Sequence, residues 1–132
     1  MNLQTQKEKG AVSLEYPKVL KTVKNAEWLL YFHRQKIDST KICAIIKAVW
    51  ADFGITFAVK FKRGTGNCFA CRNLRTGKIH LSLCYQDSTV GTVLHEIAHV
   101  FNFHGSNDSH GPGFCANLDK LIVWYHQKFL VK

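Results

Sequence analysis

The stretch KIHLSLCYQDSTVGTVLHEIAHVFNF, residues 78–103, changes its apolar period partway along, and that change decides the fold. Up to Tyr85 the period is two. Ile79, Leu81, Leu83 and Tyr85 alternate with His80, Ser82 and Cys84, the pattern of a half-buried strand. Asp87, Ser88 and Thr89 then offer side-chain oxygens for a helix N-cap. From Val90 the period becomes helical, with Val90, Val93, Leu94, Ile97, Val100 and Phe101 supplying the apolar surface to about Phe103. A strand thus feeds directly into an amphipathic helix.

Upstream, Arg75-Thr-Gly77 reads as a turn, Cys68–Leu74 as a strand, Arg63–Asn67 as another turn and Ile55–Lys62 as a strand alternating at Ile55, Phe57, Val59 and Phe61. Such short connections predict a three-stranded antiparallel meander. Before it, Ile42, Ile45, Ile46, Val49 and Phe53 recur at helical spacing, with Asp38 and Ser39 as N-cap residues and Gly54 as C-cap. Another helix is expected over 18–36, entered at Pro17. Downstream, a polar loop leads to Pro112, which suits the first turn of a last helix burying Phe114, Leu118, Leu121, Ile122, Tyr125 and Phe129. The fold class is α+β, with helices segregated from the sheet. Residues 1–16 are expected to be a flexible N-terminus and 17–132 a single domain.

Composition agrees with a small globular domain. The hydrophobic fraction is 46% with only 2 Pro, which excludes a disordered or collagen-like chain. The longest apolar runs, Trp28–Phe32 and Leu121–Tyr125, are far too short to span a bilayer, so no membrane partner is expected. The polar start MNLQTQKEKG has no signal-like apolar region, and 5 cysteines make an odd number. Both features predict reduced thiols and a cytoplasmic location.

The helix at 90–103 contains His95-Glu96-Ile97-Ala98-His99, an H-E-x-x-H pattern. Four residues of helix bring His99 to within about 40° of His95, one turn along. Two imidazoles so placed can share one zinc ion, while Glu96, about 100° around, can act as general base toward a water on that metal. Buried imidazoles and a carboxylate among Leu94, Ile97, Ala98 and Val100 would be costly without a task. A catalytic zinc of this kind needs a third protein ligand and an open position. His104, Asp108 and His110 are the nearby candidates. His104 lies about 140° around the helix from His99 and reads as a C-terminal cap. His110 is favoured, because a Pro-started helix follows it directly, with Asp108 as a loop cap or a partner for an imidazole N–H.

HEIAH at 95–99, a loop, and then HGPGF at 110–114 resemble the SprT-like zinc metallopeptidases, including the short SprT-like proteins of bacteria and their phages. The resemblance is clearest over 78–125. It implies a minimal zincin-like fold, one catalytic Zn2+ held by His95, His99 and His110, Glu96 as general base, and Phe114 anchoring the last helix. It implies a metalloendopeptidase acting on protein or peptide, including proteins attached to DNA, in the cytoplasm (the host's, for a phage chain). Metzincin spacing does not fit, since Val-Phe-Asn-Phe-His follows His99. The paired CxxC motifs of a zinc ribbon are absent as well, with one CxxC at Cys68 and Cys71. Cys68, Cys71, Cys84 and Cys115 read as free thiols, a second metal among them being the weaker alternative. The oxyanion donor stays open among His80, His104, Tyr85 and Tyr125.

Charge is uneven. Of 18 Lys+Arg, 15 lie in residues 1–78 with 5 of the 9 Asp+Glu, so that part is +10 and the remainder −1. Lys60, Lys62, Arg63, Arg72, Arg75 and Lys78 occupy the strands before the H-E-x-x-H helix and form a candidate phosphate-gripping, DNA-binding set. Phe61 and Phe69 lie among them as core residues or base-stacking rings. The alternative function is a non-catalytic, zinc-stabilised nucleic-acid-binding module, and a zinc hydrolase of non-protein amides is a third possibility. A monomer is expected.

Overall fold

A computed structural model of the chain describes residues 5–9, 16–63, 68–84, 88–104 and 109–131. The elements in chain order are β1 (Thr5–Lys9), α1 (Tyr16–Thr22), α2 (Ala26–Phe32), α3 (Ser39–Phe53), β2 (Ala58–Lys62), β3 (Phe69–Asn73), β4 (Ile79–Cys84), α4 (Val90–Phe103) and α5 (Pro112–Tyr125), with a π-helical turn at His126–Leu130. The α+β class is as expected from sequence. No helix among the described residues is long and apolar enough to cross a membrane.

Local chemistry sets the ends of the three long helices. The Asp38 carboxylate accepts from the Lys41 N–H at 2.9 Å, and Gly54 closes α3 in the left-handed region at φ 69°. The Thr89 hydroxyl accepts from the Thr92 N–H at the start of α4, and Pro112 opens α5.

The strand arrangement differs from the meander. The sheet has four strands in the order β1-β3-β4-β2, and it is mixed. β3 and β4 form the expected antiparallel hairpin, but β2 pairs parallel with β4, Val59 beside Leu81 and Phe61 beside Leu83. Burial explains the order. β4 encloses Ile79, Leu81 and Leu83 on one face and Ser82 and Cys84 on the other, which only a central strand can do. β2 carries Lys60 and Lys62, residues suited to an edge. The other edge is β1, a backbone partner of β3 in a segment where the sequence predicted no element.

The helix expected over 18–36 is two helices. The break falls at Val23–Asn25, where the backbone N–H groups of Lys24 and Asn25 donate to the Asp119 carboxylate on α5 at 2.9 and 3.0 Å. That carboxylate also sits at the N-terminal, electropositive end of α2.

Helix α4 is the centre of the molecule. All its residues but Thr92 are buried, as it packs between β3 and β4 on one side and α2 and α5 on the others. Its start is tied down by backbone bonds from Ile37 N–H to the Ser88 carbonyl and from Val90 N–H to the Gln35 carbonyl. At its end the Arg72 guanidinium donates to the Phe103 carbonyl at 2.9 Å and lies over the Phe103 ring. A cation at a helix C-terminus is favourable. Contact with α2 is close: a Cβ at Gly91 would stand 2.6 Å from the His33 ring.

Burial against α4 pushes the His33 imidazole down to about 4 from 6.5. Because the folded-state value is lowered, the unfolded chain takes up a proton between these values and the folded chain does not. The contribution of His33 is therefore complete above about pH 6.5 and is lost as pH falls toward 4. The expected loss is roughly 3 kcal/mol. Urea midpoints of the protein and of His33→Leu at pH 7 and pH 4.5 check this: the variant should lose distinctly less stability on acidification.

Candidate metal centre

His95 and His99 leave α4 on one face, a turn apart, with ring centroids 4.9 Å from each other. The chain returns after α4, and His110 enters from the segment just before α5. Its Nε2 lies 3.3 Å from His95 Nε2, and its ring is 4.7 Å from that of His99. One ligand atom from each of the three histidines lies within 4.8 Å of the others, and all three residues are buried.

The donor set fits a metal. Two nitrogens each about 2.05 Å from a tetrahedral zinc stand about 3.3–3.4 Å apart, the separation found between His95 and His110. Three neutral imidazoles suit zinc and other borderline divalent ions, and they leave a position open.

Three further residues shape the site. Phe114, in the first turn of α5 and 0% exposed, sets its ring centroid 4.9, 4.4 and 5.0 Å from those of His95, His99 and His110. It is a common floor that limits where each imidazole can turn. Asn102, buried on α4, donates from its side-chain amide to the Ser109 carbonyl at 3.4 Å. Ser109 itself has φ 56°, a left-handed conformation uncommon outside glycine. Asn102 and Ser109 thus fix the chain just before His110. The sequence reading missed both. A signal for Asn102 was present: it stands seven residues after His95, hence within about 20° of it around the helix, as a polar residue in an apolar run.

Glu96 follows His95 and is 0% exposed. A carboxylate in that position is expensive to keep charged unless a cation stands nearby.

Other residues singled out from the sequence lie elsewhere. His104 is the exposed C-cap residue of α4 and is not one of the three clustered histidines. Asp108 and Tyr85 fall outside the described residues. His80 lies on the face of β4 opposite Leu81 and Leu83, against Phe69. Tyr125 packs on Phe32 and Phe129. The cysteines are free thiols, and among the described residues the three histidines are the only group able to hold a metal. Cys68 and Cys84 are close enough to interact, and burial, the largest influence, pushes the Cys68 thiol up.

Of the six cations, Arg72 is engaged at the end of α4 and does not belong to a solvent-facing set. Lys60 and Lys62 share one face of β2, Arg63 is exposed just past it, and Arg75 and Lys78 are exposed in the β3–β4 turn. In that turn the Asn73 side chain accepts from the Arg75 and Thr76 N–H groups.

Comparison of the chain with protein-family models, with curated proteins and with solved structures returns no match.

Proposed function

We propose that the protein is a zinc-dependent metallopeptidase of the SprT-like kind, with a zincin-like core, that hydrolyses peptide bonds with Glu96 as general base. The observation that carries this reading is the convergence of His95, His99 and His110 beside a buried Glu96 on one helix–loop–helix. The spacing of HEIAH and HGPGF, and a strand leading into the first of these motifs, support the same reading.

A zinc ion held by the three imidazoles would supply Lewis acidity, polarising a scissile carbonyl and making a water easier to deprotonate. The chain's own groups do the rest. Glu96 takes the proton of the attacking water and hands it to the departing amine. Phe114 keeps the three rings in place and water away from their packed side. The Asn102–Ser109 contact holds the approach to His110. The substrate is a protein chain, with proteins on DNA as the class to try first, and the working location is the cytoplasm.

A second reading has its own observation. His95, Glu96 and His99 are 0% exposed and His110 6%. Ligands so enclosed favour a structural metal that stabilises the domain without turnover.

Zinc content and proteolysis separate the two. The purified protein is expected to hold one zinc per chain, and His110→Ala should lower zinc affinity more than about a hundredfold. Casein cleavage should stop on removal of the metal with phenanthroline and return with added zinc. Stoichiometric zinc with no cleavage of casein or of DNA-bound proteins would reject the peptidase and leave the structural reading.

A further inference from the structure

Among the described residues seven large apolar side chains are exposed, and six of them fall on α2 and toward the end of the chain. Trp28 and Tyr31 stand on one side of α2 with their rings edge to face at 5.8 Å, and the Trp28 ring meets the His126 ring at 4.4 Å. Val123 and Leu130, both exposed, lie three residues before and four after His126, hence beside it. Two elements distant in sequence thus share one apolar surface, the kind of feature that marks an interaction site on a small domain. Its border is cationic. Lys24 and Arg34 are exposed at the two ends of α2, and Lys120 is exposed one turn before Val123. Segments 16–36 and 112–131 hold 7 Lys+Arg against 2 Asp+Glu. One of these acids, Asp119, is engaged by the Lys24 and Asn25 N–H groups, and one of the cations, Lys128, is paired with Asp52 on α3. Helix α5 carries Phe114 against the metal centre in its first turn and reaches His126 about 18 Å further along its axis.

We propose that this surface captures an unfolded, acidic polypeptide, its apolar side chains lying on Trp28, Tyr31, Val123 and Leu130 and its carboxylates against Lys24, Arg34 and Lys120. What the captured chain is rests on the peptidase reading: it is the substrate, and the surface is a second anchor for it. An extended chain needs about six residues to cover about 18 Å, so only a long substrate holds both the surface and the metal centre. Charge argues against a second copy of the protein, since a chain of net +9 would set cations against cations. A bilayer needs side chains that project. Here Trp28 is braced by Tyr31, Phe32 and His126, and all four apolar side chains are less than half exposed. A nucleic-acid strand would use the rings and the cations and leave Val123 and Leu130 without a partner. Apolar side chains interspersed with carboxylates match both the centre of the surface and its border.

The probe is a labelled, unstructured peptide of Glu, Leu, Phe, Ser and Gly, about 20 residues long and so able to reach from one site to the other. It is titrated with the full chain carrying zinc and Glu96→Gln, so that it is not consumed. Fluorescence anisotropy should show binding that weakens with salt and is lost when Lys replaces each Glu of the peptide. Trp28→Ala with Tyr31→Ala should weaken it at least about tenfold. Lys24→Ala with Lys120→Ala should weaken it less and flatten the salt dependence. Val123→Glu with Leu130→Glu, changes at exposed positions, should abolish binding, and this pair keeps the test decisive if the aromatic variant fails to fold. With Glu96 in place, either of these apolar-surface variants should raise the KM for casein about tenfold with kcat kept. Hydrolysis of a peptide of about four residues, too short to span the sites, should stay as in the parent. No binding of the acidic peptide overturns the proposal, as does equal binding of its Lys counterpart or of oligo-dT. So does a casein KM unmoved in both apolar-surface variants. Binding of the acidic peptide with no hydrolysis of casein or of the short peptide upholds the capture and rejects the peptidase reading alone.

Discussion

Glu96→Gln is expected to lower peptide hydrolysis about 10²–10⁴-fold while leaving zinc content unchanged. The side chain is fully enclosed, and glutamine has nearly its shape, so the swap opens no cavity. What it removes is basicity: an amide cannot accept the water's proton, and a positioned general base contributes about 10²–10⁴ in rate. Two measurements on one variant thus separate the roles, hydrolysis falling while zinc content stays at the parent's level. Parental hydrolysis by Glu96→Gln would exclude Glu96 as the base.

Phe114→Ala should cost about 3–5 kcal/mol in denaturant unfolding. A domain of this size has about 5–15 kcal/mol in total, so the variant would be marginal at room temperature. The expected effect is not confined to stability. The Phe114 ring touches all three imidazoles, and its removal frees each to rotate away from the common point. Zinc affinity should fall with it, by about 10–100-fold, the range typical when the groups that orient metal ligands are lost. Phe114→Leu, which refills most of the volume, should recover the larger part of the stability and less of the affinity, since a branched aliphatic chain cannot support three rings at once. An unfolding midpoint and a zinc affinity both unchanged in Phe114→Ala would contradict the arrangement described above.

The candidate site was legible to an unusual degree because most of it is helical geometry. His95 and His99 share a face by the pitch of any α-helix, and Thr89 and Pro112 set helix starts through bonds that reach only three residues or none. The α3 boundaries were readable for the same reason, with Asp38 and Gly54 at its ends. The His110 assignment was a choice among three candidates. It needed only a loop long enough to return, and the position of the ring nitrogen 3.3 Å from that of His95 is a tertiary fact. Ser109 was missed because a hydrogen bond across seven residues leaves no periodic trace, whereas Asn102 did leave one, as a polar residue in phase with His95.

By itself, then, the sequence determined the α+β class, the long helices and the histidine pair, all consequences of contacts within a few residues of chain. The tertiary structure alone decided the strand order, the parallel pairing of β2, the break between α1 and α2, and the fate of the cations. Strand order depends on which strand must be buried on both faces, a property of the whole core and not of any turn. The break rests on Asp119, 94 residues away from Asn25. Arg72 and Lys60 look alike in the chain, yet one ends a helix and the other faces solvent. Their difference is set by which side of a pleated strand each occupies and by what packs there, and neither is fixed until the sheet has closed over α4.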